Sequence, residues 1–361
     1  MDGVKTDNIR CVPPEVLRLL LDSDASTQAD IGAIPDEVFH GCMQTEGTAE
    51  VITVSPSKKW AAFAVISPAG IDTFAFSIDQ HPMWVYAVDG HYIDPICVHA
   101  LTIANGERYS FFIELNQPAA NYGIRVASVS LSQLIDTTAV LSYEGATENI
   151  SNPYIDQAGG KTGEGTVNFL SKLETKSYPP QFPQPAPEPD QTFIMTLDTA
   201  GSTYQWALNK SPFDANIDSE ANPWITQDAE SLEAGDTVFK TQNDTWIDLI
   251  FKTTTENQPA HPIHKHSNKG FVIGQGEGDF PYSTVADAVE AIPGNFNLVD
   301  PPYRDSFATL ASVGGPTWTV VRYHVINPGA WLIHCHIQSH IRGGMAAAIL
   351  DGVDVWPGAG S

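Results

Sequence analysis

The 361-residue chain reads as all-β, made of two antiparallel sandwich or barrel domains. Short runs rich in Val, Ile, Thr, Phe and Tyr recur along it, Gly, Pro, Asn and Asp punctuate them, and helical periodicity is nearly absent. A chain of this length accommodates about two ordinary domains, each with its own core. A proline-dense stretch near the middle supplies the division.

The opening segment, 1–34, contains PPEVLRLLLD, which predicts a short helix started by proline. Over 35–176 the runs EVITVSP, WAAFAVIS, TFAFSID, MWVYAVDG, RYSFFIEL and YGIRVASVS predict the strands of a first domain. The stretch SYPPQFPQPAPEPDQ, Ser177 to Gln191, carries six prolines in fifteen residues and reads as an extended linker. Over 192–361 the runs TFIMTLDT, TWIDLIFKT, FVIGQG, WTVVRYHVI and AAAILDG predict a second β domain. Within it DFPYSTVADAVEAI, Asp279 to Ile292, predicts a short helix. GQGEG, Gly274 to Gly278, lacks the Lys-Ser/Thr of a phosphate loop and reads as a turn after a strand.

Composition narrows the function classes. Eighteen Lys plus Arg against forty-three Asp plus Glu give a net charge of −25, which repels nucleic acid and anionic membranes, so neither is an expected partner. No apolar run is long enough to span a bilayer, and MDGVKTDNIRC lacks the pattern of an export signal. With four cysteines the chain is no disulfide scaffold, although Cys11 and Cys42, flanking the first helix, form one candidate bridge for an oxidising compartment. The sequons at Asn149, Asn209 and Asn243 point weakly the same way.

Six of the eleven histidines crowd into HPIHKH, His261 to His266, and HCHIQSH, His334 to His340. If both segments are extended, side chains alternate between faces. His264, His266, His334 and His336 then form one set, and His261 with Cys335 begins another. A turn after the second segment brings His340 and Met345 back to Cys335. Two imidazoles, a thiolate and a weak axial thioether are the donors of a blue copper site. Zinc competes, but structural zinc prefers several thiolates and catalytic zinc lacks a Cys with an axial Met. Four imidazoles without a carboxylate suit copper ions that reduce dioxygen. His40, His81, His91, His99 and His324 stand alone and read as structural.

HPIHKH followed by HCHIQSHIRGGM resembles the last two copper-binding motifs of the multicopper oxidases, the family of laccases, ascorbate oxidases and ferroxidases. FSIDQHPMWVYAVDGHYIDP, GERYSFFIEL and NYGIRVAS resemble the middle cupredoxin domain of fungal members. The resemblance implies cupredoxin-like Greek-key folding for both domains, type 1 copper held by His261, Cys335 and His340 with Met345 axial, a type 2 ligand in His264, and type 3 ligands in His266, His334 and His336. Cys335 and His340 are then the catalytic residues for electron transfer. It implies one-electron oxidation of phenols, including secondary-metabolite precursors, coupled to reduction of dioxygen to water, in a family whose members are mostly secreted. The family's cluster takes four further histidines from His-x-His motifs of an N-terminal domain, and no other His-x-His pair occurs here. The chain is therefore expected to be the second and third domains of a longer enzyme, its N-terminal domain absent or supplied by a separate polypeptide. A non-catalytic copper-binding or electron-transfer subunit is the alternative.

Three departures from the family pattern stand out. Gln338 occupies a position where many members carry an acid for proton delivery, and Lys265 and Ser267-Asn268 replace the usual Leu and Gly-His. Asp305 is a candidate for orienting a ligand histidine, or for pairing with Arg304.

Overall fold

The computed structural model describes residues 10–11, 49–129, 133–134, 136–163, 166–180, 188–214, 223–229, 231–256 and 258–356. The PPEVLRLLLD helix and the Cys11–Cys42 bridge fall outside the described residues or their described side chains. The chain folds as two units, Met1–Lys172 and Leu173–Ser361. Each is a cupredoxin-like Greek-key β-sandwich of two sheets. No helix among the described residues is long and apolar enough to cross a membrane.

In the first unit, β1 (Val51–Val54), β2 (Trp60–Ile66), β3 (Phe74–Ile78), β4 (Met83–Val88), β5 (His91–Val98), β6 (Ala100–Ile103), β7 (Arg108–Glu114), β8 (Asn121–Ser128) and β9 (Asp136–Tyr143) form two sheets, ordered β1-β9-β8-β3-β6 and β2-β7-β4-β5. Alternation drives the packing. Along β7 Tyr109, Phe111 and Ile113 face inward to meet Phe76, Ile78 and Tyr122. His81 is a satisfied core histidine, with Nδ1 2.7 Å from the Asp79 carbonyl and Nε2 2.7 Å from the Tyr143 hydroxyl.

The second unit carries β10 (Gln191–Ala200), β11 (Ser202–Ala207), β12 (Val238–Lys240), β13 (Trp246–Thr253), β14 (Pro262–Lys265), β15 (Gly270–Glu277), α1 (Val285–Ala291), β16 (Tyr303–Arg304), β17 (Ser306–Ala308), β18 (Thr317–His324), β19 (Gly329–Cys335), α2 (Gln338–Arg342) and β20 (Ala346–Asp351). Its sheets run β11-β10-β13-β18-β15-β16 and β12-β20-β19-β14-β17. Strands β13 and β18 are buried along nearly their whole length because both sheet faces are covered. Ile247, Leu249 and Phe251 point between the sheets, whereas Ile250, Trp318 and Val320 pack outward against Val285 and Ala288 of α1. That helix lies within the predicted segment, and Thr284 caps it, its hydroxyl accepting from the Asp287 N–H at 3.1 Å.

GQGEG is not a turn but mostly strand. Gly274 and Gly276 lie within β15, where a Cβ would come within 2.5 Å of the Phe296 ring and 2.4 Å of the Trp318 indole. The glycines are there so that aromatic rings can lie against the backbone.

The lysine between the two histidines of HKH is buried. Lys265 Nζ lies 3.0 Å from Asp351 Oδ2, which also accepts from Asn268 Nδ2 at 3.0 Å. Oδ1 accepts from Tyr323 at 2.8 Å and Thr241 at 2.9 Å, and the ammonium sits 4.2 Å from the Tyr323 ring centroid. Lys265 and Asn268, two of the departures from the family pattern, thus converge on one carboxylate. Removing one partner leaves a charge buried alone, so Asp351→Ala is expected to cost about 3–5 kcal/mol in urea unfolding. Lys265→Met combined with Asp351→Asn, which removes both charges and keeps the acceptor for Tyr323, should recover most of that loss.

Candidate metal centre

Strands β14 and β19 are antiparallel neighbours with Ile263 opposite Cys335, His264 opposite His334 and Lys265 opposite Ile333. Cys335 joins Ile263 and Ile333 in the core between the sheets. His264 and His334, one residue along, face the other way. Past Cys335 the chain turns into α2 and returns through Gly343 and Gly344, and the Met345 N–H donates to the His340 carbonyl at 2.9 Å. Gly344 has φ +103°, and a Cβ there would meet Pro212 Cβ at 2.6 Å, so the tight return requires glycine.

These elements place three buried donor atoms together. Cys335 Sγ lies 3.9 Å from His261 Nδ1 and 3.8 Å from His340 Nδ1, and the two Nδ1 atoms are 3.3 Å apart. Ligand bonds of about 2.0–2.3 Å to a common centre fit that triangle. Met345 is fully buried in the same core. His261 Nε2 meets Gln258 Oε1 at 2.9 Å, which assigns the ring proton to Nε2 and leaves the Nδ1 lone pair for an ion. Trp206 of β11 stacks on His340, ring centroids 3.9 Å apart and planes at 20°.

Burial alone makes this pocket hostile to charge. It pushes the Cys335 thiol up to about 12 and the His261 imidazole down to about 3, and it drives His340 well below its ordinary value, with His261 adding to the effect. A bound cation reverses the balance for the thiol. Soft thiolate with two imidazoles is a copper donor set, and the buried His261, Cys335 and His340 triad is consistent with a copper-binding site.

On the opposite face the structure gathers His264, His266, His334 and His336. Ring centroids are 4.9 Å apart for His264 and His266, 5.3 Å for His266 and His334, and 5.0 Å for His334 and His336. The Nε2 atoms of His266 and His334 approach to 3.3 Å, a separation that calls for a proton or a cation between two lone pairs. His264 Nδ1 lies 2.9 Å from the Asp305 carbonyl and His334 Nδ1 3.0 Å from the Cys335 carbonyl, so their Nε2 atoms are left as donors to an ion. Asp305 therefore orients His264 through its backbone, while its carboxylate pairs with Lys269 at 3.2 Å. Burial, with His264, His334 and Lys265 nearby, lowers His266 to about 4. Gln338 is exposed at the start of α2.

Family models described as multicopper oxidase match residues 18–146 and 200–354. The chain belongs to the multicopper oxidase family. It is 38% identical over 354 residues to multicopper oxidase elcG of Phaeosphaeria nodorum, covering 96% of this chain and 56% of that protein. It is 40% identical over 332 residues to laccase abr2 of Aspergillus fumigatus, covering 90% and 55% respectively. This multicopper oxidase chain thus spans just over half the length of those relatives. Its fold is shared with the laccase of Botrytis aclada, TM-score 0.69 at 24% identity over 91% of this chain and 57% of that one, and with Fet3p, TM-score 0.66 at 17% identity over 86% and 59%.

The matches correct one expectation. The sequence alone predicts the family's second and third cupredoxin domains, with an N-terminal domain absent or supplied by a separate polypeptide. That reading is overturned, because a multicopper oxidase domain is matched at the N-terminal end of this chain, over 18–146, ahead of the one at 200–354. The expectation rests on the resemblance of short strand segments to the family's middle domain and on a count of His-x-His pairs. Such a count says how many donors a cluster still needs, not from which side of the chain they would come.

Two residues of the centre, Gln258 and Trp206, escaped the sequence reading. Gln258→Leu is expected to weaken copper binding about 10–100-fold in a chelator competition, by freeing the His261 ring. A pH dependence follows as well. With His261 at about 3 when folded and 6.5 when unfolded, the unfolded chain takes up a proton that the folded chain refuses. Metal-free protein should therefore lose stability in urea as pH falls from about 6.5 toward 3, and His261→Gln should flatten that decline.

Proposed function

We propose that this chain is a laccase-like oxidase chain acting on phenolic donors, including secondary-metabolite precursors: His261, Cys335 and His340, with Met345 buried in the same core, would hold the copper ion that accepts single electrons. His264, His266, His334 and His336 would hold the copper that passes those electrons on to dioxygen, the final acceptor. The observation that carries this reading is the position of Cys335: its side chain is in the triad and its chain neighbours, His334 and His336, are on the other face. In the type 1 and type 2/type 3 description, His264 is the type 2 ligand and the other three are type 3 ligands. Bound copper supplies the one-electron redox chemistry.

The chain's own residues do the rest. Gln258 fixes the tautomer of His261, and the Asp305 and Cys335 carbonyls hold His264 and His334 with Nε2 outward. Cys335 gives a route of a few covalent bonds from thiolate to either flanking imidazole. The names of relatives such as laccase abr2 support the substrate class, and the family's habit of secretion supports an extracytoplasmic setting. One observation favours a second reading as an electron-transfer chain: the triad is complete in itself, whereas the other face offers four imidazoles.

Copper-loaded protein is expected to be intensely blue with a narrow copper hyperfine splitting, to bleach with hydroquinone under argon, and to be colourless as Cys335→Ser. Oxygen consumption with a phenol would establish the oxidase. Bleaching without oxygen uptake would leave the electron-transfer reading, and a colourless wild-type protein would sink both.

A further inference from the structure

We propose that Asp198 and Thr255 are positioning residues of the copper centre: they end a hydrogen-bond relay that begins at the His261 ring, and the carboxylate at its end makes that ring a stronger ligand for copper(II). This rests on the reading of the triad as a copper site. Every bond in the relay points one way. The His261 Nε2 proton goes to Gln258 Oε1 at 2.9 Å, Gln258 Nε2 donates to Thr255 Oγ1, and Thr255 Oγ1 donates to Asp198 Oδ1 at 3.2 Å. Gln258 Nε2 also lies 3.3 Å from the Leu197 carbonyl and 3.4 Å from Asp198 Oδ1. The nitrogen side of the amide thus faces acceptors. Turned over, Gln258 would set Oε1 against a carbonyl and a carboxylate, so its oxygen is held toward His261.

The fold frames this relay. Strands β10 and β13 run parallel with Leu197 beside Thr253, which brings Asp198 alongside the backbone as it leaves β13. Ser312, fully buried, clips the segment from Thr255 to Gln258. Its hydroxyl donates to the Thr255 carbonyl at 2.8 Å and accepts from the Gln258 N–H at 3.1 Å, and its N–H donates to the Gln258 carbonyl at 3.0 Å. Asp198 Oδ1 is itself held by the Thr199 N–H at 2.7 Å. A carboxylate bonded directly to a ligand imidazole raises the basicity of that ligand. Here a hydroxyl and an amide stand between, and successive hydrogen bonds polarise one another along the relay. The added electron density favours the more highly charged ion, so the arrangement stabilises copper(II) over copper(I) and holds the midpoint potential down.

The test compares Asp198→Asn, Thr255→Val and Thr255→Ser with wild type in the full chain. Without metal, nitrogen NMR shifts of the His261 ring report its tautomer. With copper, chelator competition gives the affinities for copper(II) and copper(I), and redox titration of the blue band gives the midpoint potential. Asp198→Asn and Thr255→Val are each expected to admit the Nδ1-protonated tautomer. Each should also weaken copper(II) about threefold to tenfold more than copper(I), tenfold being a rise of about 59 mV. Thr255→Ser keeps the hydroxyl and should match wild type. Because the two residues act in series, combining Asp198→Asn with Thr255→Val should move the potential no further than the larger single shift. If Asp198→Asn does not fold, Thr255→Val against Thr255→Ser carries the comparison. An unchanged tautomer and potential in both variants, or equal weakening of the two copper states, would overturn the relay while leaving a blue wild-type centre intact. A wild-type chain that stays colourless with copper would instead remove the copper reading and this proposal with it.

Discussion

The second unit depends on the register between β14 and β19. With Ile263 opposite Cys335 and His264 opposite His334, the period of two places the thiol in the hydrophobic core and the two imidazoles on the reverse face. A slip of one residue on either strand would exchange them. What holds the register is ordinary packing: Ile263, Ile333, Cys335, Ile337 and Met345 belong to one core with Leu249, Val321 and Tyr323. The metal pocket is thus a corner of the hydrophobic core, and the apolar residues that fold the domain also set the distances among its donors.

That shared location explains the electrostatics. The same burial that raises the Cys335 thiol and depresses His261 and His340 favours the neutral forms of all three. The thiolate is favourable only with a cation beside it, so binding of the ion, loss of the thiol proton and ordering of the site are one linked equilibrium. Gln258 and Trp206 act on the same rings from outside the donor set, one by a hydrogen bond and one by stacking.

Much of this was legible in the sequence, for a physical reason. Alternation on strands is a local property, so HPIHKH and HCHIQSH sort their donors by parity without any knowledge of the fold, and the short helix at Asp279 to Ile292 carries its own cap. Trp206, Gln258 and Asp351 were not legible because each reaches its partner from a distant segment, and neither residue type nor spacing announces such a contact. GQGEG misled because glycine serves turns and close approaches alike. The missing-domain inference failed because counting ligands carries no information about chain direction.

Lys265 and Asp351 have a consequence of another kind. Either both charges are present, or neither is, and each intermediate strands an ion in the core. Single substitutions at these two positions therefore cost stability from either end, and the pair is best exchanged as a unit. The lysine between these two histidines is thus tied to a carboxylate eighty-six residues away, and neither can change freely without the other.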